Sequence, residues 1–180
     1  MFVSGCAVEP EEGSVPGAAG VAVFCDSIGF SHGKVTGWPE HLKTLIDDKV
    51  WHDCRPSWTL QDYNVEQTII DSGLANNYQY GVLALGFNDL FHGAFLGDVL
   101  DLYESTLDII AFHGLEPVCM TYSYNTVFTT LANPLNEGIV FICEQRGLKI
   151  IANTDRLLDG LHPDNLGSME IAENAWRVLY

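Results

Sequence analysis

Basic side chains are scarce in this chain: 8 Lys and Arg stand against 24 Asp and Glu, a formal charge of −16 over 180 residues. Nucleic acids and anionic membrane surfaces would be repelled at long range, so neither is expected as a partner. Long apolar runs are missing too; none approaches the ~20 residues of a membrane span. The five cysteines, Cys6, Cys25, Cys54, Cys119 and Cys143, show no Cys-x-x-Cys spacing, which argues against a zinc site or a dithiol redox motif. No metal is expected. No Gly-x-Gly-x-x-Gly follows any apolar run, which disfavours a dinucleotide enzyme. What the chain does have is 47% hydrophobic residues, enough at this length for one well-formed core.

The amino terminus reads differently from the rest. Val3-Ser4-Gly5-Cys6-Ala7 is similar to a bacterial lipobox, and the Pro-, Gly- and Glu-rich residues up to 19 read as a flexible, lipoprotein-type tether ahead of one domain, residues 20–180. Only five residues precede Cys6, fewer than a secretory signal requires, so the match is either the remnant of a longer precursor or chance. An extracytoplasmic location is slightly preferred on this ground.

From residue 21 onward, apolar runs alternate with amphipathic stretches. Val21 to Phe24 form an apolar run ending at Asp26-Ser27, with Gly29 to turn the chain; this is a short buried strand with a hydroxyl at its carboxyl end. Residues 39–47 follow as a helix, with Pro39 in its first turn and Leu42, Leu45 and Ile46 on one face. Residues 49–54 are a second strand. Thr59-x-x-Asp62 has the form of a capping box, which predicts a helix from there to about residue 76. A third strand (81–85) runs into Gly86-Phe87-Asn88-Asp89, and a long helix closes at Gly114. A fourth strand (117–121), an aromatic and hydroxyl-rich loop (122–133), a helix opened by Asn133-Pro134, a fifth strand (148–152) and a last helix complete the pattern. Five alternations without repeat or linker predict an α/β fold: a three-layer doubly wound sheet of five parallel strands, flavodoxin-like in the order 2-1-3-4-5. Cys25 and Cys54 then end adjacent strands and are the pair to test for a disulfide; the other internal cysteines read as small buried hydrophobes.

In such a sheet the loops at the carboxyl ends of the strands share one crevice. Four polar stretches fall there: Asp26-Ser27, residues 55–59, Asn88-Asp89 and residues 159–162. Serine hydrolysis needs a nucleophile, a base, a carboxylate to orient the base, and donors for an oxyanion. Ser27, His162 and Asp159 supply the first three, while Asn88 and the Ser27 and Ser57 amides are candidate donors.

These residues carry a resemblance to the SGNH (GDSL-type) hydrolase family. Asp26-Ser27 resembles its nucleophile block, Gly86-Phe87-Asn88-Asp89 its Gly-x-Asn-Asp block, and Asp159-Gly160-Leu161-His162-Pro163 its Asp-x-x-His block. The resemblance implies an α/β serine esterase without cofactor, acting on a small-molecule ester. Asp26, Trp58 and Phe87 are the candidate substrate-contacting residues. Two positions depart from the family pattern: Cys25 stands where Gly usually precedes Asp-Ser, and Ser57-Trp58-Thr59 stands where the second block usually reads Gly-x-Thr. Donation from the Ser57 amide is expected at negative φ. Few residues remain for a lid, so short acyl groups, including carbohydrate or aryl acetates, are the expected substrates. Two rival readings are a flavin-binding electron carrier with Ser27 and Ser31 around a phosphate, and an inactive family member used for binding. The first leaves Asn88 and the Asp159/His162 pair without a role.

Overall fold

The computed structural model describes residues 20–31, 33–47 and 49–180, so the lipobox-like stretch and the tether lie outside the described residues. Strand β1 (Val21–Cys25) is buried along its whole length because it is sandwiched between β2 (Val50–Cys54) and β3 (Tyr80–Ala84) and covered on both faces. That is why it reads as an unbroken apolar run rather than an alternation. With β4 (Glu116–Met120) and β5 (Lys149–Ile151) the sheet is parallel throughout, in the order β2-β1-β3-β4-β5. Cys25 is level with both Cys54 and Ala84. β2, β1 and β3 therefore end together, and their following loops start from one edge of the sheet.

The crossovers explain the layers. Helix α1 (Trp38–Leu45) carries the chain outward from β1 to β2, whereas α2 (Val65–Asp71), α4 (Leu96–Phe112) and α5 (Thr129–Gln145) carry it the other way. Right-handed crossovers then put α1 on one face and the other three on the opposite face. Helix α6 (Asn165–Leu179) packs on α1, and α4 packs against α2 and α5. Trp38 and Leu42 of α1 and Ala172 and Ala175 of α6 are buried, as are Val99, Tyr103, Leu107 and Ile110 of α4. No helix among the described residues is long and apolar enough to cross a membrane.

Two helices begin where the local sequence does not predict. Thr59 and Asp62 do bond each other, Oγ1 donating to Oδ2 at 2.7 Å and the Asp62 amide donating back at 3.0 Å, yet they close only a turn. The Leu60 amide is taken at 2.9 Å by Asp89, and the Tyr63 hydroxyl donates at 3.2 Å to the Asp53 carbonyl. These bonds tie residues 60–63 to β2 and α3 as a turn, and α2 starts later, with Asn64 as its cap. It ends at Asp71, and a separate 3₁₀ turn spans Leu74–Asn76. Helix α5 starts at Thr129, before Asn133-Pro134, so that Pro134 lies inside it. As the sixth residue of the helix, Pro134 lies past the first turn and removes one intrahelical amide donor.

Two disulfides join Cys25 to Cys54 and Cys119 to Cys143. The first links the ends of β1 and β2. The second fastens β4 to α5, correcting the reading of Cys119 and Cys143 as merely small buried hydrophobes.

Candidate active site

Each loop of the site begins at a strand end. Asp26 follows β1 directly and Ser27 comes next, in a turn closed by the Gly29 amide on the Asp26 carbonyl (3.4 Å) and the Ile28 amide on Asp26 Oδ1 (2.9 Å). After β3, Gly86 takes φ 120°, a conformation costly for any residue with a β-carbon, and swings the chain into the short helix α3 (Phe87–Phe91), which begins with the Phe87-Asn88-Asp89 run. The loop after β5 doubles back on itself: Leu157 and Pro163 form an antiparallel bridge, and the Leu158 amide reaches the His162 carbonyl at 2.7 Å. At its tip Gly160 has φ 83°, and a β-carbon there would lie 2.6 Å from Val127. The Gly160 carbonyl accepts from the Val127 amide (2.8 Å) and from Thr126 Oγ1 (2.7 Å). That clamp sets the height at which His162 stands.

His162 Nε2 lies 3.0 Å from Ser27 Oγ, and its Nδ1 lies 2.8 Å from Asp159 Oδ2. Asp159 Oδ1 accepts from the Leu161 and His162 amides at 3.0 and 2.8 Å. Partial burial alone would raise the Asp159 carboxyl, but hydrogen bonds from the His162 amide and ring and the Leu161 amide outweigh it and hold the group at about 2. Asp159 is thus an anion at any working pH. It favours the tautomer with the proton on Nδ1, leaving Nε2 free to accept from serine.

Asn88 and Asp89 fasten the loop after β2 to the loop after β3. Asn88 Nδ2 donates to the Trp58 carbonyl at 3.0 Å, and Asp89 Oδ2 accepts from the Leu60 amide at 2.9 Å. One N–H of the Asn88 amide remains for a ligand. Ser57 departs from the expectation of negative φ: it sits at φ 64°, in the left-handed region, with its side chain exposed. The turn explains this, since the Trp58 amide bonds back to the Arg55 carbonyl at 3.2 Å and Pro56 precedes Ser57. A serine there bears a steric cost of about 1–2 kcal/mol, only partly offset by the roughly 0.5–1 kcal/mol of backbone entropy a glycine would lose. Ser57→Gly is therefore expected to raise the melting temperature by about 1–4 °C, read by calorimetry. A lower value would place the strain elsewhere.

Two of the three expected substrate contacts lie beneath the site instead. Asp26 is 1% exposed, its Oδ2 accepting from the Tyr122 hydroxyl at 3.2 Å, and Phe87 is 2% exposed, stacked among Tyr122, Phe91 and Phe128. Trp58 is half-buried, its ring between Arg55 and Tyr63, and its carbonyl holds Asn88. Nothing local in the sequence shows this burial; beside the local Ile28 amide, the second partner of Asp26 is Tyr122, which follows β4.

Burial drives the Asp26 carboxyl up to about 6, against the Ile28 amide, the Tyr122 hydroxyl and nearby His162, which favour the anion. Between its ordinary value near 4 and about 6 the folded state holds the extra proton, so this group's contribution to stability falls as pH rises through that window. Asp26→Asn keeps the acceptor for Ile28 and removes the buried charge. The variant is expected to exceed the parent's stability at pH 7 by up to about 3 kcal/mol, the gap closing as pH falls from 6 to 4. Urea melts across that range measure it, and a gap that widens on acidification would contradict it.

No protein-family model matches the sequence, and no curated protein matches it. Solved structures do match in fold. A G-D-S-L family protein from Desulfitobacterium hafniense superposes with a TM-score of 0.76 at 16% identity, covering 89% of this chain and 99% of that one. The acetyl xylan esterase AlAXEase gives 0.71 at 14% identity over 89% and 100% of the two chains. A lipase/acylhydrolase from Enterococcus faecalis gives 0.70 at 16% identity over 88% and 94%. The fold is that of the SGNH hydrolase structures.

Proposed function

We propose that this protein is a serine esterase hydrolysing short-acyl carboxylic esters. The observation that carries the reading is the unbroken line Ser27 Oγ, His162 Nε2, His162 Nδ1, Asp159 Oδ2, with links of 3.0 and 2.8 Å. Ser27 Oγ bonds to the ester carbon as its proton passes to Nε2, and the carbonyl oxygen becomes an anion facing Asn88 Nδ2 and the Ser27 and Ser57 amides. The carbon–alcohol bond then breaks, Nε2 protonates the departing oxygen, and an acyl-Ser27 remains. Water repeats the sequence: His162 takes its proton, the carboxylic acid leaves, and Ser27 Oγ recovers a proton.

The geometry favours this reading over the rivals. An electron carrier has no use for a serine, imidazole and carboxylate in hydrogen-bonded series. Against an inactive binding module, both departures from the family pattern have a structural outlet: Cys25 is consumed by its bridge to Cys54, and Ser57 adopts the backbone conformation a glycine would take. Short acyl groups are favoured because the loops at this edge leave little chain for a lid: residues 92–95 separate α3 from α4, and residues 121–128 separate β4 from α5.

The test is a series of phenyl esters of graded acyl length, beside labelling with a serine-directed phosphonate. Acetyl and butyryl esters are expected to turn over faster than decanoyl, with the label on Ser27. Faster turnover of the decanoyl ester would overturn the short-acyl assignment, and a label on another serine the nucleophile.

A further inference from the structure

A cavity opens beside Ser27. It holds about 160 Å³ between the loop after β1 and the base of α6, walled by Ile28, Phe30, Val35, Leu158 and Pro163, with Ser168 among its lining and His162 at its edge. Neither Ser57 nor Asn88 borders it.

The tetrahedral carbon formed on Ser27 has four directions. One is the Oγ bond, and the oxyanion must point to Asn88 and the Ser27 and Ser57 amides. The departing oxygen must lie within reach of His162 Nε2, because that nitrogen protonates it. Whatever hangs from that oxygen continues past His162, which is where the cavity lies. The acyl substituent is left with the remaining direction. On the serine-esterase reading above, on which this rests, we infer that the cavity bordered by Phe30, Val35 and Leu158 binds the alcohol part of the ester and selects a compact apolar alcohol, an aryl group above all, rather than a sugar.

The size and the lining support that choice. An apolar cavity of about 150 Å³ takes a benzene ring, and this one is of that order. Phe30 and Leu158 are 42% and 64% exposed, so they stand at the mouth as apolar rims. A sugar would bring several hydroxyls, each needing a partner once out of water. Beyond Ser27, His162 and Asp159, the polar side chain in the lining is Ser168, buried in α6 with no hydrogen bond to its hydroxyl among the described residues. It can serve one polar substituent, not a ring of them.

The experiment varies the two halves of the substrate independently. kcat/KM is measured for methyl acetate, phenyl acetate, phenyl butyrate and an acetylated methyl xyloside, with the parent, Val35→Phe and Phe30→Ala. The parent is expected to prefer phenyl over methyl acetate by more than its chemical reactivity difference in buffer, and over the sugar ester by at least tenfold. Val35→Phe, which fills the cavity, should lower the phenyl-to-methyl ratio at least tenfold. Phe30→Ala, a change at the exposed rim, should lower it about threefold. In both, the phenyl butyrate to phenyl acetate ratio should stay within twofold of the parent's. If that acyl ratio moves instead and the alcohol ratio does not, the cavity is an acyl subsite and the inference is overturned. A parent preference for the xyloside ester overturns it as well. Failure to hydrolyse any of the four esters would overturn the esterase reading itself, and the inference with it.

Discussion

Ser27→Ala is expected to lower kcat by about 10⁴-fold or more, with the fold intact. The substitution removes one hydroxyl at a half-buried position whose hydrogen-bond partner is His162 Nε2, so little packing is lost. What goes is the atom that bonds to the acyl carbon. Residual turnover would come from the oxyanion donors acting on water, which is why the loss is finite. The check is kcat by acetate release beside a far-UV melt; a variant retaining a tenth of the activity would mean that another group attacks the ester.

Asp159→Asn is expected to lose about 10⁴-fold in kcat, and to be at least as impaired as Asp159→Ala. The reason lies in which atoms face which. Oδ1 accepts two amide protons, from Leu161 and His162, while Oδ2 faces His162 Nδ1. In the asparagine variant only the carbonyl oxygen can accept those two amides, which forces the NH₂ group toward the imidazole. Nδ1 must then accept, the ring proton moves to Nε2, and Nε2 no longer takes the proton of Ser27. Alanine imposes no such tautomer. Steady-state kinetics of the two variants decide: an asparagine enzyme as active as the parent would assign the orienting role to another carboxylate, and an alanine enzyme much weaker than the asparagine one would refute the tautomer argument.

The order β2-β1-β3-β4-β5 agrees with the expected flavodoxin-like arrangement. β1 and β3 are legible because strands buried on both faces are apolar throughout, and each stops where polar or glycine residues begin. Ser27, Asn88, Asp159 and His162 were nameable from residue type and from their places after strand ends, and the sheet brings their loops to one edge. The start of α1 is legible from Pro39, which suits a first helical turn.

What tertiary structure alone decided depends on partners far along the chain. Thr59 and Asp62 carry the signature of a helix start, but they close only a turn, which Asp89, 29 residues from Leu60, ties to α3, and α2 opens after Asn64 instead. Asp26 looks like a site residue by adjacency and is buried because Tyr122 arrives from β4 to bond it, 96 residues away. The Cys119–Cys143 bridge needs α5 laid against β4. Ser57 takes a backbone conformation that residue type disfavours because the turn between Arg55 and Trp58 requires it. Patterns of polarity and residue type act over a few positions and are carried by the sequence itself. Burial, tautomer and the direction in which a side chain points are set by contacts between distant segments, and exist only when the sheet has brought those segments together.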